Sequence, residues 1–274
     1  MSDRITVDIN GGVADVRLNR PDKMNALDPA MFDALVETAD TLAADTSLRA
    51  VVLSGEGKSF CAGLDFSGFQ GMAGSSDRGG GQSSTRSITD PMEGRITHKG
   101  QQAVYGWSNL PVPVIAAVHG HALGGGVQLA LGADIRVVHP DAKMSVLEIR
   151  WGLIPDMTGT QTLIRLVGLD VAKELTFTGR MVSGTEAKEI GIATKVSDDP
   201  RADALALATE IAGKSPHAIR AAKRLFDEAG SRTLAEGFAA ERNEIGALIG
   251  SPNQVEQVKS FFEKRAPNFV DPEG

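Results

Sequence analysis

Val114-Ile115-Ala116-Ala117-Val118-His119-Gly120-His121-Ala122-Leu123-Gly124-Gly125-Gly126-Val127-Gln128-Leu129-Ala130-Leu131-Gly132-Ala133-Asp134-Ile135-Arg136-Val137-Val138 is the stretch on which the fold turns. Val114 to Val118 is a short buried strand and Ile135 to Val138 is another, with a glycine-led helical segment between them. Strand, helix, strand in that order predicts an α/β core. Upstream, Ala50-Val51-Val52-Leu53 is a third buried strand. Ile5, Val7 and Ile9 alternate with polar residues, Asn10-Gly11-Gly12 turns the chain, and Ala14, Val16 and Leu18 alternate again, which predicts a β-hairpin. Asp28-Pro29 pairs a capping carboxylate with a proline suited to the first helical position. Phe32, Leu35, Val36, Ala39, Leu42 and Ala43 then fall on one helical face.

Composition bounds the function classes. The chain has 274 residues, enough for one large domain or a domain with an extension. Lys and Arg number 28 against 35 Asp and Glu, so no basic field exists to hold nucleic acid or an anionic membrane. One cysteine excludes an intrachain disulfide framework and a multi-cysteine zinc site. Met1-Ser2-Asp3-Arg4-Ile5 lacks the apolar run of a signal peptide and no stretch reaches spanning length, so a cytoplasmic, soluble protein is expected. His98, His119, His121, His139 and His217 lack a recognised metal spacing, and no metal is predicted.

Two glycine-rich loops follow strands. In the first, Gly55-Glu56-Gly57-Lys58-Ser59-Phe60-Cys61-Ala62-Gly63-Leu64-Asp65, a phosphate-loop reading fails because Val stands at position 52, where that motif needs glycine. In the second, Gly124-Gly125-Gly126 opens a helix and leaves backbone N–H groups bare. Tight helix–strand packing is the plainer explanation of one such turn. Two such loops after two core strands point to paired N–H donors for a developing oxyanion. Residues 67–101, rich in Gly and Ser, predict a long mobile loop, either a lid or a plain insertion. From Asp170 onward the pattern is mostly helical, with apolar spacing at 204–211, 218–226 and 255–262. The division expected is a core over 1–200 and a helical region over 201–274 that packs on the core or on another subunit.

Asn19-Arg20-Pro21-Asp22-Lys23-Met24-Asn25-Ala26-Leu27, Phe60 to Asp65, Gly120 to Ala130, Trp151-Gly152-Leu153-Ile154-Pro155 and Phe261-Phe262-Glu263-Lys264-Arg265 together resemble the crotonase superfamily of enoyl-CoA hydratases and isomerases. The resemblance implies a spiral of β-β-α units with a helical C-terminal region, trimers or hexamers, and an acyl-CoA thioester as substrate. Coenzyme A is then part of the substrate, and no separate cofactor is implied. Matched position by position, the N–H groups of Leu64 and Gly125 would form the oxyanion hole. Lys23, Ala26, Ala62, Asp65 and Gln128 would bind substrate, Ala26 and Ala62 through main-chain contacts to adenine and Lys23 at the phosphates. Lys264 or Arg265 would reach a neighbouring subunit. Ser67 stands where relatives often carry a phosphate-binding lysine.

The acid–base residues select the reaction. Relatives that hydrate a double bond carry two glutamates, matching Gln128 and Glu148. An amide accepts no proton in the working pH range, so Gln128 can orient water or substrate but cannot be a base. Glu148 lies in an apolar stretch that predicts a raised pKa and a general-base role, against the alternative of a surface glutamate at a strand end. Asp156 follows eight positions later, where the dienoyl-CoA isomerases of the superfamily carry aspartate. Those relatives also tend to have aspartate at the Gln128 position, so the match is partial. Capping of the helix near Thr160, or binding of a loop amide, is the other role open to Asp156. Double-bond isomerisation is therefore the leading expectation, followed by hydration and by acyl-CoA binding without catalysis. Cys61 has no evident activating partner and is expected to be a core residue.

Overall fold

The computed structural model describes residues 3–65 and 90–273. The expected hairpin is β1 (Ile5–Asn10) paired antiparallel with β2 (Val13–Leu18). Parallel pairing then carries the sheet through β3 (Ala50–Gly55), β4 (Val114–Val118), β6 (Ile135–Val138) and β9 (Lys195–Val196), giving the order β1-β2-β3-β4-β6-β9. A second sheet joins β5 (His121–Leu123), β7 (Lys143–Ser145) and β8 (Val182–Ser183) in the order β5-β7-β8.

Alternation along the strands builds two cores. Val16, Leu18, Val51, Leu53, Val114, Ala116 and Val118 face a large cluster that includes Phe60 and Trp107. Val13, Ala50, Val52, Ile115, Ala117 and Val137 face the other way, onto Ala204 and Ala208 of a helix spanning Pro200–Ala212. Side chains of successive strand residues point to opposite faces, so both sides of this sheet are covered. Small residues four apart on the helix let its backbone come close.

Helix α1 (Pro29–Ala43) begins as expected, with Asp28 Oδ1 accepting the Met31 N–H at 2.8 Å. Phe32, Leu35, Val36, Ala39 and Leu42 are buried, whereas Ala43, expected on the same face, is exposed in the last turn. The Gly/Ser-rich part of the predicted loop, 67–89, lies outside the described residues. The rest of that prediction is corrected: Pro91 pairs with His98 in a β-bridge, and α2 (Lys99–Ser108) starts before residue 101. Its start is written in polar groups, with His98 accepting backbone N–H bonds and Gln101 accepting the His98 N–H.

The glycine-led helix is α3 (Gly125–Leu131), and α4 (Gly159–Val167), α5 (Leu169–Thr178) and α6 (Gly184–Glu189) follow. The sheet-covering helix is α7 (Pro200–Ala212), then α8 (Pro216–Glu228), α9 (Leu234–Leu248) and α10 (Pro252–Glu263). The three expected C-terminal helical stretches fall within α7, α8 and α10. Helix α9 is an addition, with no buried residue to mark a core-facing stripe. No described helix is long and apolar enough to cross a membrane.

Asp28 also receives Arg4 at 2.7 Å. Burial pushes its carboxyl upward, but the Arg4 and Met31 hydrogen bonds and the nearby Arg20 charge prevail and hold it below the usual aspartate range. Its contribution is therefore present above that range and lost as pH falls through the depressed value. Asp28→Ala should cost about 1 kcal/mol or more at neutral pH. Urea unfolding should show the loss shrinking in acid, and a loss independent of pH would contradict the assignment.

Candidate active site

The two glycine loops are zipped together by backbone bonds. Cys61 N–H donates to His121 O at 2.9 Å, and Leu123 N–H donates to Cys61 O at 3.0 Å. The first loop also pairs with the 24–27 segment. Leu27 N–H donates to Gly63 O at 2.8 Å and Asp65 N–H to Leu27 O at 3.0 Å. In that parallel bridge the donors and acceptors come from residues 63 and 65, so the Leu64 N–H turns away from Leu27. Gly125 is the first residue of α3, so its N–H has no acceptor in the helix.

Glycine is required where the loops meet. Gly63 has φ +85°, and a Cβ there would lie 2.4 Å from Leu123 O. A Cβ at Gly126 would lie 2.2 Å from Cys61 O. Leu64, Gly125 and Glu148 line one cavity of about 30 Å³, walled by Leu123, Leu147, Trp151 and Leu153.

Glu148 starts a 3-10 turn and is 7% exposed, not a surface glutamate at a strand end. Gln128, 1% exposed, sits behind it. The Gln128 Oε1 accepts the Gly159 N–H at 3.0 Å, which fixes its amide so that Nε2 donates to Glu148 Oε1 at 2.5 Å. Glu148 Oε2 is buried and has no hydrogen-bond partner among the described residues. Burial raises the Glu148 pKa, the hydrogen bonds oppose that only in part, and the Asp156 charge adds to the rise. Gln128, expected at the substrate, contacts Glu148 and Gly159 and does not line the small cavity.

Asp156 leaves its side chain 47% exposed. It lines a second cavity of about 530 Å³ with Ile96, Tyr105, Ile154, Pro155 and Thr158. It does not cap α4, whose N-cap position, Thr158, makes no side-chain capping bond. Leu153 belongs to the small cavity and Ile154 to Asp156 to the large one, so a single turn of chain borders both.

Lys23 is exposed. The Ala26 carbonyl accepts from Arg20 at 3.1 Å, and the Ala62 N–H donates to Met24 O at 2.9 Å. Asp65 forms a 2.7 Å ion pair with Arg20, an internal brace behind the Leu64 N–H. Lys264 is exposed at the end of α10, while Arg265 pairs with Glu256 and Glu263 of its own chain. Ser67 lies outside the described residues. Cys61 is buried, its thiol pushed up to about 12 by burial. Among the described residues no group of three or more His, Cys, Asp or Glu is placed to hold a metal ion.

Sequence reading missed Asn25. Fully buried with φ +57°, it accepts the Arg20 N–H at 2.8 Å and donates to Glu56 O at 3.0 Å and Ser59 O at 2.8 Å. It therefore ties the 20–27 segment to the first glycine loop. A side chain that can enter the left-handed region and bond two backbones is what asparagine offers, and that was the available signal.

Residues 8–272 match the family described as enoyl-CoA hydratase/isomerase. The chain belongs to this family. It is 34% identical over 268 residues to the mitochondrial enoyl-CoA hydratase domain-containing protein 2 of Mus musculus, covering 95% of this chain and 85% of the relative. It is 34% identical over 267 residues to the mitochondrial methylglutaconyl-CoA hydratase of Mus musculus, covering 95% and 80%. The crystal structure of an enoyl-CoA hydratase from Bacillus anthracis superposes with a TM-score of 0.86 at 31% identity, covering 97% of this chain and 98% of that one. The crotonase fold expected from the sequence is thereby established for this enzyme-family member.

Because the folded state binds the Glu148 proton more tightly than the unfolded chain, folding stability falls as pH rises from the usual glutamate range through the raised value. Glu148→Gln removes that titration and keeps an acceptor for Gln128. The variant's melting temperature, relative to the parent's, should climb across that window and then level off. A difference that stays flat with pH would contradict a raised value.

Proposed function

We propose that this family member is an acyl-CoA isomerase that shifts double bonds, acting best on a dienoyl-CoA. The carrying observation is the placement of two carboxylates, Glu148 on the small cavity and Asp156 on the larger one, joined by one turn of chain. An amide, Gln128, stands where a second carboxylate would otherwise face Glu148. The thioester oxygen would accept the Leu64 and Gly125 N–H groups. Glu148 Oε2 would take the proton from the carbon next to the carbonyl, and the C–H pair would pass into an extended enolate, conjugated through the diene, whose charge reaches the thioester oxygen. Preorganised donors at that oxygen stabilise the charge as it develops. Reprotonation at the far carbon, with Asp156 as the partner group, would complete the shift with one proton removed and one delivered.

Homotrimers or hexamers belong to this reading. The support is apolar surface on the C-terminal helices, where Phe226, Phe238, Phe261 and Phe262 are each more than half exposed. Hydration is the second reading, and the hydratase names of the relatives favour it. It requires Gln128 to serve a water with Glu148 as the single acid–base group.

Ultraviolet spectra of the protein mixed with a 3,5-dienoyl-CoA, and separately with a trans-2-enoyl-CoA, distinguish the two. The isomerase reading expects a long-wavelength conjugated band to grow from the dienoyl substrate, and Asp156→Asn to slow it by about 100-fold. Loss of the enoyl band alone would establish hydration instead.

A further inference from the structure

We propose that His98 is a positioning residue for Asp156, holding the distal carboxylate through an N–H whose tautomer is fixed by helix capping. His98 precedes α2, and its Nδ1 accepts the Gly100 N–H at 3.1 Å and the Gln101 N–H at 3.4 Å. A ring nitrogen that accepts backbone N–H bonds carries no hydrogen, so the proton of the neutral ring resides on Nε2. Nε2 lies 4.0 Å from Asp156 Oδ2.

The ring has little freedom to face elsewhere. Its side chain is 13% exposed. A Cβ at Gly100 would lie 3.0 Å from His98 Cε1 and 3.6 Å from Met157 Cγ, so the absent side chain leaves the ring its seat between α2 and the 155–158 turn. Other nearby charges are engaged elsewhere, Lys99 with Asp33 and Arg95 with Asp40 on α1. Asp156 accepts no side-chain hydrogen bond among the described residues, and a half-exposed carboxylate without a partner has no fixed rotamer. Closing the gap to a hydrogen bond takes a movement of about 1 Å, of the kind that accompanies substrate binding. The bond would aim Asp156 along the acyl chain, toward the distal carbon.

This inference rests on the isomerase reading, and the variants separate the two. His98→Asn keeps an N-cap acceptor for α2 but removes the Nε2 donor, whereas His98→Ala removes both. On a 3,5-dienoyl-CoA, both variants should lose about tenfold in kcat with KM unchanged, the scale of one hydrogen bond to a charged group. Melting temperature should fall for His98→Ala and return to the parent value for His98→Asn. Combining His98→Asn with Asp156→Asn should cost no more than Asp156→Asn alone. Recovery of kcat by His98→Asn together with stability would reduce His98 to a helix cap and overturn the proposal. Multiplying losses in the double variant would overturn it as well. A parent protein with no isomerisation would instead refute the isomerase reading, whereas an Asp156→Asn variant with full isomerase activity would remove Asp156 from the reaction and His98's role with it.

Discussion

Two backbone hydrogen bonds, between Cys61 and the 121–123 strand, hold the site together. Parallel strands β3 and β4 deliver their following loops to the same end of the sheet, as parallel sheets do at their carboxyl edge. Adjacency alone would leave two independent glycine loops. The bridge turns them into one unit, and Gly63 and Gly126 let the backbones close to distances no Cβ tolerates. The Leu64 and Gly125 amides thereby border one small cavity, held by main chain that cannot change rotamer. Behind them, Arg20 braces Asp65 and Asn25 fastens the neighbouring segment, so the preorganisation extends a further layer into the protein.

The electrostatics around Glu148 follow from one amide. Gly159 N–H can only donate, so it fixes which end of Gln128 meets the carboxylate. Glu148 Oε1 is then occupied and Oε2 is left bare in an apolar wall. A buried acceptor without a partner costs stability, and the same burial is the main cause of the raised Glu148 pKa. Retaining it makes sense where the same oxygen must take a proton from a weak carbon acid. Asp156 differs in every respect, being half exposed and bordering the larger cavity. The two carboxylates occupy unlike environments, which suits them to unlike parts in one proton transfer.

Most of the fold was legible because it is carried by period. The alternating strands, the Asp28-Pro29 start of α1 and the glycine-led helix all read directly from residue order. Legibility failed where polar side chains do the work. The start of α2 depends on a His98–Gln101 capping box inside what reads as a Gly/Ser-rich loop. Helix α9 buries none of its residues within this chain, so no core-facing stripe marked it. Within the candidate site, Leu64, Gly125, Glu148 and Asp156 were singled out through motif resemblance, and the fold places the first three on one cavity and Asp156 on the next. The engagement of Gln128 with Glu148 and of Asp65 with Arg20 could not be, because both contacts join segments far apart in the chain. Position in a motif names the residue, and only the packed structure says which atom it turns toward.

The central claim is that Glu148 and Asp156 serve two ends of one acyl chain across a shared oxyanion site. The most direct measurement is turnover of a 3,5-dienoyl-CoA in deuterated water, followed by nuclear magnetic resonance of the product. The account predicts a 2,4-dienoyl product with one hydrogen lost next to the carbonyl and deuterium entering at the sixth carbon. Deuterium confined to the carbon next to the carbonyl, or a hydroxyl on the third carbon, would contradict it.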